Sequence, residues 1–152
     1  MQVVKTLEGF ACAHRQHAAA SHCRFVHGYE RSFRLIIEGP LDPETGWVID
    51  FGSFKELHKT LADQFDHTLI VAEDDPLLPS FKELDAAGGC RLRVMDHPGM
   101  EGAARWVWEV ASKYVSQLTD GRAKLVEVEA READRNAVRF RAQRHTRSGD
   151  GI

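Results

Sequence analysis

Two segments near the start of the chain carry the alternating pattern of half-buried β-strands. They are residues 3–14 and residues 27–39. Apolar side chains of the second segment alternate at Tyr29, Phe33, Leu35 and Ile37. Because successive side chains of a strand point to opposite faces, this alternation predicts that one face is buried. Residues 39–46 are dense in glycine and proline, so we expect a turn before Trp47-Val48-Ile49 begins the next unit.

Helical spacing of apolar residues occurs twice further along. The first set predicts an amphipathic helix over residues 51–63 and consists of Phe51, Phe54, Leu57, Leu61 and Phe65. The second set predicts a helix that begins near Pro98, a residue suited to a first turn, and ends at Asp120-Gly121. Its apolar stripe consists of Ala103, Ala104, Val107, Val110, Ala111, Tyr114, Val115 and Leu118.

The remaining segments are predicted to be a loop, a short strand and a strand pair. Residues 73–89 are punctuated by proline and glycine and are predicted to be mainly loop, followed by a short strand over residues 90–95. Residues 124–130 and 137–143 are predicted to pair through the polar turn at 131–136. The order β-β-α-β-α-β-β predicts an α+β domain in which two helices cover one face of an antiparallel sheet.

Composition narrows the classes of partner. The 152 residues, 43% of them hydrophobic, fit one domain over residues 1–143, and the aperiodic residues 144–152 are expected to form a flexible tail. The net charge of −3 gives no basic stripe, so we expect no nucleic-acid partner and a small molecule instead. No apolar run approaches the roughly 20 residues that cross a bilayer. Three scattered cysteines without a secretory leader favour a cytoplasmic, membrane-free location.

Chemistry-bearing residues concentrate in one short window. Four of the eight histidines fall within residues 14–27, together with Cys23. Cys23-x-x-x-His27, with His14 at the end of the preceding strand, could gather around one metal ion, because imidazole suits zinc and strand ends bring distant residues together. The alternative is a polar loop with surface histidines, which we favour for His17 and His22.

Six segments share their order and spacing with one enzyme family. Residues 10–14 read Phe-Ala-Cys-Ala-His, and residues 23–29 read Cys-Arg-Phe-Val-His-Gly-Tyr. The others are Gly-Trp-Val-Ile-Asp-Phe at 46–51 with Lys55, Asp-His-Thr-Leu at 66–69, Pro-Gly-Met-Glu-Gly at 98–102, and Glu132 eight residues before Phe140. From about residue 5 to 141 the chain resembles the 6-pyruvoyl-tetrahydropterin synthase and 6-carboxy-tetrahydropterin synthase family. It departs from that pattern at Tyr29, Ile70, Gly99, Gly102 and Ala133.

The resemblance implies a catalytic zinc ion. Family members hold zinc with three histidines and leave an open coordination position for the substrate side chain. His14 and His27 match two of these ligands, and Tyr29 occupies the position of the third. In the family, the metal polarises side-chain oxygens of the substrate as a Lewis acid.

The resemblance also implies roles for four further side chains. Cys23 matches the base that removes a proton, and Asp66-His67 matches a proton-relay dyad. Glu132 matches the acid that accepts hydrogen bonds from the N–H and amino groups of the pterin ring. From the residues alone, Cys23 could instead be a small buried hydrophobe, Asp66-His67 a helix cap with a surface histidine, and Glu132 a solvated hairpin residue.

The fold and assembly implied by the resemblance are those of the tunnelling fold. Its chain has a four-stranded antiparallel sheet with two helices on one face. The chains form a homo-oligomer, typically a hexamer of two trimers, whose sheets join into a barrel. Closure of a barrel removes unpaired sheet edges. In this arrangement Asp66-His67 reaches Cys23 of another chain.

Three functional hypotheses follow. The short Cys-x-x-x-His spacing resembles the bacterial 6-carboxy-tetrahydropterin synthases of the queuosine route. The first hypothesis is therefore a lyase that converts dihydroneopterin triphosphate to 6-carboxy-tetrahydropterin, acetaldehyde and triphosphate. The second is a paralogue that binds a pterin or a protein without catalysis, because Tyr29 replaces a zinc histidine. The third keeps the fold and the metal but acts on another pterin.

Overall fold

The computed structural model describes residues 1–141 as a six-stranded sheet with three α-helices. The strands are β1 (Gln2–His14), β2 (His27–Glu38), β3 (Thr68–Ala72), β4 (Leu92–Met95), β5 (Lys124–Glu132) and β6 (Asn136–Arg141). The helices are α1 (Lys55–Phe65), α2 (Leu78–Ala86) and α3 (Met100–Leu118), with 3-10 turns at His22–Arg24 and Phe51–Phe54. The predicted strand end at residues 142–143 and the predicted tail at 144–152 lie outside the described residues.

A β-bulge in β1 decides which of its residues face the helices. Leu7 pairs with Phe33 and Phe10 pairs with Arg31, so β1 has one residue more than β2 between these pairs. Gly9 lies in the bulge with a φ of 88°, a conformation that glycine adopts without steric cost. By accommodating the extra residue, the bulge brings Leu7 and Phe10 to the same buried face, although they are three positions apart.

The α+β class is confirmed, but the expectation of a four-stranded antiparallel sheet is wrong. The strand order is β4-β3-β1-β2-β5-β6, and β3 runs parallel to both β1 and β4. The sequence pattern missed β3 because all five of its residues are buried. A strand covered on both faces has no polar side to alternate with, so it cannot be told from a short apolar segment of another kind.

A third helix lies in the segment that was predicted to be loop. No residue of α2 is fully buried, so α2 lacks the apolar stripe that identified α1 and α3. Pro79 is in its first turn, where the missing backbone N–H has no intrahelical partner to lose. The proline was therefore a helix start, whereas the sequence analysis treated it as a breaker.

α1 and α3 pack together on one face of the sheet, as predicted. Phe65 of α1 lies 5.0 Å from Phe33 of β2 and 5.3 Å, edge-on, from Trp106 of α3, measured between ring centroids. Phe33 and Phe65 are fully buried. These contacts cover the apolar part of the sheet face. The other end of that face carries polar side chains.

The opposite face of β5 and β6 carries a ladder of arginine and glutamate. Arg131 Nε and Arg139 Nε donate to the two carboxylate oxygens of Glu129 at 2.9 and 2.7 Å, and Arg141 Nε donates to Glu127. The hydrogen bonds from Arg131 and then Arg139 lower the pKa of Glu129. The ladder fastens β6 to β5.

Within residues 1–141, no helix is both long and apolar enough to cross a bilayer.

The start of α3 packs so tightly that an added methyl group should destabilise the protein. A Cβ on Gly102 would lie 1.8 Å from the carbonyl oxygen of His97. Alanine usually stabilises a helix relative to glycine by about 1 kcal/mol. Here we expect Gly102→Ala to lower the free energy of unfolding by about 1–3 kcal/mol instead, because the backbone must shift. Urea denaturation measures the change.

Gly89→Ala is the matched control. A Cβ there meets Leu84 Cδ1 at 2.4 Å, the end of a side chain that is 45% exposed and can turn away. We expect a smaller loss than in Gly102→Ala. A stabilised Gly102→Ala protein would contradict the tight contact.

Candidate functional site

The register between β1 and β2 places two of the predicted zinc ligands directly opposite each other. His14 ends β1 and His27 begins β2, and the two are Cα partners in the antiparallel ladder. Their ring centroids are 4.4 Å apart, with the planes tilted by 50°. Residues 13 apart in the sequence are thus brought into side-chain contact.

His14 is a buried neutral imidazole. It is 2% exposed, and burial lowers its pKa to about 3, with smaller contributions from Arg31 and His27. It is therefore unprotonated throughout the physiological range. Its Nδ1 atom is buried and has no hydrogen-bond partner among the described residues.

Tyr29 lies on the same face of β2 as His27, because it is two residues further along the strand. The ring centroids of His27 and Tyr29 are 5.9 Å apart in an edge-on arrangement. The Tyr29 side chain remains 48% exposed. Its register partner in β1 is Cys12, which is buried with a pKa raised by desolvation. The three predicted ligands form a contiguous row of rings at one end of the hairpin.

These side chains have donor atoms that fit zinc. Among residues 1–141, no group of three or more His, Cys, Asp or Glu side chains is arranged to hold a metal ion. His14, His27 and Tyr29 include only two side chains of these four types, because the third predicted ligand is a phenol. Neutral imidazole is the form that binds zinc, and the buried His14 Nδ1 accepts no hydrogen bond from any of residues 1–141.

Glu132 reaches the same region from the neighbouring strand. It ends β5, and its Oε1 atom lies 4.0 Å from His14 Nε2. The Glu132 side chain is 15% exposed, and Oε1 has no hydrogen-bond partner among the described residues. The sequence alone also allowed Glu132 to be a solvated hairpin residue. Its largely buried carboxylate, with an unused acceptor atom, differs from that alternative.

Arg31 is a site residue that the sequence analysis missed. It is the Cα partner of Glu132 in the β2–β5 ladder and is fully buried. Burial lowers its pKa, and Cys12 and Glu132 act in the opposite direction. The strand pattern contained a signal for this residue. Alternation from Tyr29 to Phe33 places position 31 on the buried face, and a cationic side chain there is unusual.

Asp66 and His67, the residues that match a proton-relay dyad, form a hydrogen-bonded pair. His67 Nδ1 lies 2.9 Å from Asp66 Oδ1, which also accepts from the Ala11 N–H at 3.2 Å. The His67 N–H donates in turn to the Ala11 carbonyl at 2.7 Å. His67 has a φ of 53° and a side chain that is 79% exposed. A non-glycine residue in this region is held by its surroundings at some cost in energy.

Cys23 lies in the loop between β1 and β2 and is partly exposed. Its N–H donates to Ser21 Oγ at 3.4 Å, and its carbonyl accepts from the Gln16 N–H at 2.9 Å. These bonds order the loop and involve neither Asp66 nor His67. Within one chain, the hydrogen bonds of the cysteine and of the dyad belong to separate groups.

A cleft adjoins this region at the carboxyl ends of the parallel strands. It has a volume of about 910 Å³ and is bordered by Gln16 and His17 after β1, by Glu73 after β3, and by Pro98 and Gly99 before α3. Parallel strands end at the same edge of a sheet, and such edges are common places for ligands. The cleft is large enough for a bicyclic ring with a side chain.

Comparison with known proteins gives concordant matches. Residues 3–143 match the family model described as 6-pyruvoyl tetrahydropterin synthase. The 6-carboxy-5,6,7,8-tetrahydropterin synthase of Rickettsia typhi is 37% identical over 97 residues, which cover 62% of this chain and 69% of that protein. The protein of the same name from Rickettsia conorii is 37% identical over 67 residues, 43% of this chain and 49% of that protein. The chain thus spans about half the length of the latter relative.

The fold is also found among solved structures. The 6-pyruvoyl tetrahydropterin synthase of Plasmodium vivax superimposes with a TM-score of 0.67, over 93% of this chain and 98% of that chain, at 16% sequence identity. At this identity, the likeness is one of fold.

Proposed function

We propose, because the chain belongs to the 6-pyruvoyl tetrahydropterin synthase family, that it is a 6-carboxy-tetrahydropterin synthase-like lyase. Its substrate would be dihydroneopterin triphosphate or a related reduced pterin. With uptake of one water molecule, dihydroneopterin triphosphate would give 6-carboxy-tetrahydropterin, acetaldehyde and triphosphate. The observation that carries the proposal is the contact between His14 and His27, with Glu132 4.0 Å from His14. A pair of imidazoles beside a carboxylate can hold a polar side chain and a ring edge at neighbouring points. Three free cysteines support the cytoplasm as its location.

Glu132 would bind the ring of the substrate. Its Oε1 atom is buried and has no hydrogen-bond partner among the described residues. A carboxylate accepts two parallel N–H bonds, and the N3–H and 2-amino groups of a pterin present two such donors. Binding the ring there would direct its side chain to the imidazole pair.

His14, His27 and Tyr29 would hold a zinc ion. When bound, zinc would supply Lewis-acid polarisation of the substrate side-chain oxygens. The protein residues orient the side chain, and His14 stays neutral in its buried position. The phenol of Tyr29 makes this site weaker than one with three imidazoles, since a phenol must lose a proton to become a good ligand.

Cys23 would remove the proton from the substrate, and Asp66-His67 would relay it. The His67 side chain is 79% exposed in the single chain, which suits a group that acts at a subunit contact. We therefore propose a homo-oligomer, a hexamer of two trimers, in which the dyad of one chain approaches Cys23 of another. In such an assembly the sheets would join through their edges.

The reaction and its base are tested together. Incubation of the zinc-loaded protein with dihydroneopterin triphosphate should give 6-carboxy-tetrahydropterin, detected by mass analysis. We expect Cys23→Ala to lower turnover by about two to four orders of magnitude, the usual contribution of a positioned base. Cys90→Ala is the matched control and should be nearly unchanged, because Cys90 lies before β4, outside the residues assigned to the site. Equal effects of both substitutions, or none, would remove Cys23 from this role.

Mixing two inactive variants tests the shared site. Cys23→Ala and His67→Ala should each be nearly inactive alone. If Cys23 and the dyad act from different chains, random 1:1 hetero-oligomers should regain about a quarter of the wild-type activity, since some contacts then join two intact groups. Co-expression with two affinity tags isolates the mixed species. Failure to recover activity in a confirmed mixed oligomer would contradict a site shared between chains.

Zinc affinity tests the ligand set without any turnover. We expect wild-type protein to bind zinc with a steep dependence on pH, and Tyr29→His to tighten binding about tenfold or more, because imidazole needs no deprotonation near neutrality. Competition with a chromophoric chelator between pH 6 and 9 measures both. His22→Ala, in the loop, is the control and should leave the affinity unchanged. Equal affinity of wild type and Tyr29→His would exclude Tyr29 as a ligand.

A further inference from the structure

Arg31 is a buried cation with few partners. Its side chain is 0% exposed and lies in β2 on the face that carries Phe33. Nη2 donates to the Pro98 carbonyl at 3.1 Å, whereas Nε and Nη1 have no hydrogen-bond partner within residues 1–141. The guanidinium carbon is 5.9 Å from the centroid of the Phe65 ring. An aromatic ring attracts a cation but offers no acceptor for these N–H groups.

Packing alone does not account for an arginine at this position. A buried polar group without a partner loses its hydration and gains no bond in return, and the penalty is larger when the group is charged. An apolar side chain of similar volume would fill the same space without that penalty. The unused donors therefore indicate an acceptor that residues 1–141 do not supply.

Glu132 lies beside Arg31 and can accept hydrogen bonds, whereas Arg31 can donate them. The two residues are Cα partners in the β2–β5 ladder, and neighbouring strands are about 5 Å apart. Guanidinium is a donor only and ionised carboxylate an acceptor only. Glu132 Oε1 and the Nε and Nη1 atoms of Arg31 are all without hydrogen-bond partners among the described residues, so these atoms do not satisfy one another. Together they present acceptors and donors side by side.

We propose that Arg31 binds the 4-oxo group of the pterin ring and makes the site selective for 4-oxo over 4-amino pteridines. The inference rests on the proposed function, in which Glu132 binds the same ring. Along that edge of a pterin, the 2-amino and N3–H donors are followed by the 4-oxo acceptor. This order complements a carboxylate next to a guanidinium. A 4-amino group would instead place its own N–H donors against those of Arg31, and the Nε and Nη1 atoms of Arg31 would gain no acceptor from the ligand. Arg31 is thus a specificity-determining residue.

Ligand binding tests the selectivity apart from catalysis. In a Cys23→Ala background, dissociation constants are measured by fluorescence for 7,8-dihydroneopterin and for its 2,4-diamino analogue. We expect the parent to favour the 4-oxo ligand. Arg31→Met should weaken that ligand about 10- to 100-fold, the range for a lost hydrogen bond to a charged group, and leave the diamino ligand unchanged or tighter. Arg31→Lys, which keeps the charge without the fork, should lose part of the selectivity. Arg105→Met, on the exposed side of α3, is the control and should behave as the parent.

Thermal unfolding separates recognition from a structural role. We expect Arg31→Met to be at least as stable as the parent, because an apolar residue replaces a buried cation whose Nε and Nη1 atoms have no hydrogen-bond partner within residues 1–141. If Arg31→Met does not fold, Arg31→Lys and Arg31→Gln supply the same comparison of ligands. Unchanged selectivity in a folded Arg31 variant overturns the inference and leaves the lyase proposal standing. Selectivity would also be unchanged if the acceptor for the Arg31 N–H groups were only an ordered water molecule. If the parent binds neither ligand, both proposals fail.

Discussion

The register between β1 and β2 is the constraint on which the site depends. A slip of one residue would turn His14 to the other face of the sheet and part it from His27. The apolar core prevents that slip, because Phe10 and Phe33 are fully buried on the same face and would be exposed by it. The bulge at Gly9 is part of this constraint. If the same residues alternated regularly from Leu7, without a bulge, the helix-covered face would carry Ala11 and Ala13 where it now carries Cys12 and His14.

The same strand face changes from core to site along β2. Ile37, Leu35 and Phe33 are completely buried among apolar side chains, and the next inward positions are Arg31, Tyr29 and His27. The apolar end offsets the cost of holding, at the other end, buried polar atoms that have no hydrogen-bond partner in the described part of the chain. Arg31 lies at the boundary, in contact distance of Phe65 on one side and hydrogen-bonded to Pro98 on the other. A single element therefore provides both rigidity and chemistry.

Two groups of site residues differ in their relation to solvent. His14, Arg31 and Glu132 are enclosed by the chain, whereas the side chain of His67 projects from it. The dyad is nonetheless firmly placed, because Asp66 and His67 bond to both backbone groups of Ala11 in β1. A rigid but exposed pair is suited to acting on a group presented from outside the chain. This contrast is the physical basis for proposing a site completed by a neighbouring subunit.

The sequence by itself determined the parts of this protein that have a periodic or collinear signal. Alternation gave β1, β2, β5 and β6, helical spacing gave α1 and α3, and the ordered motifs identified the family and the seven proposed site residues. It did not reveal β3, whose burial on both faces removes alternation, or α2, whose exposure removes the apolar stripe. The bulge at Gly9 was equally hidden, since a bulge is defined by the partner strand. The tertiary structure alone decided that His14 faces His27 and that Arg31 faces Glu132, because contacts across strands depend on register and not on distance along the chain.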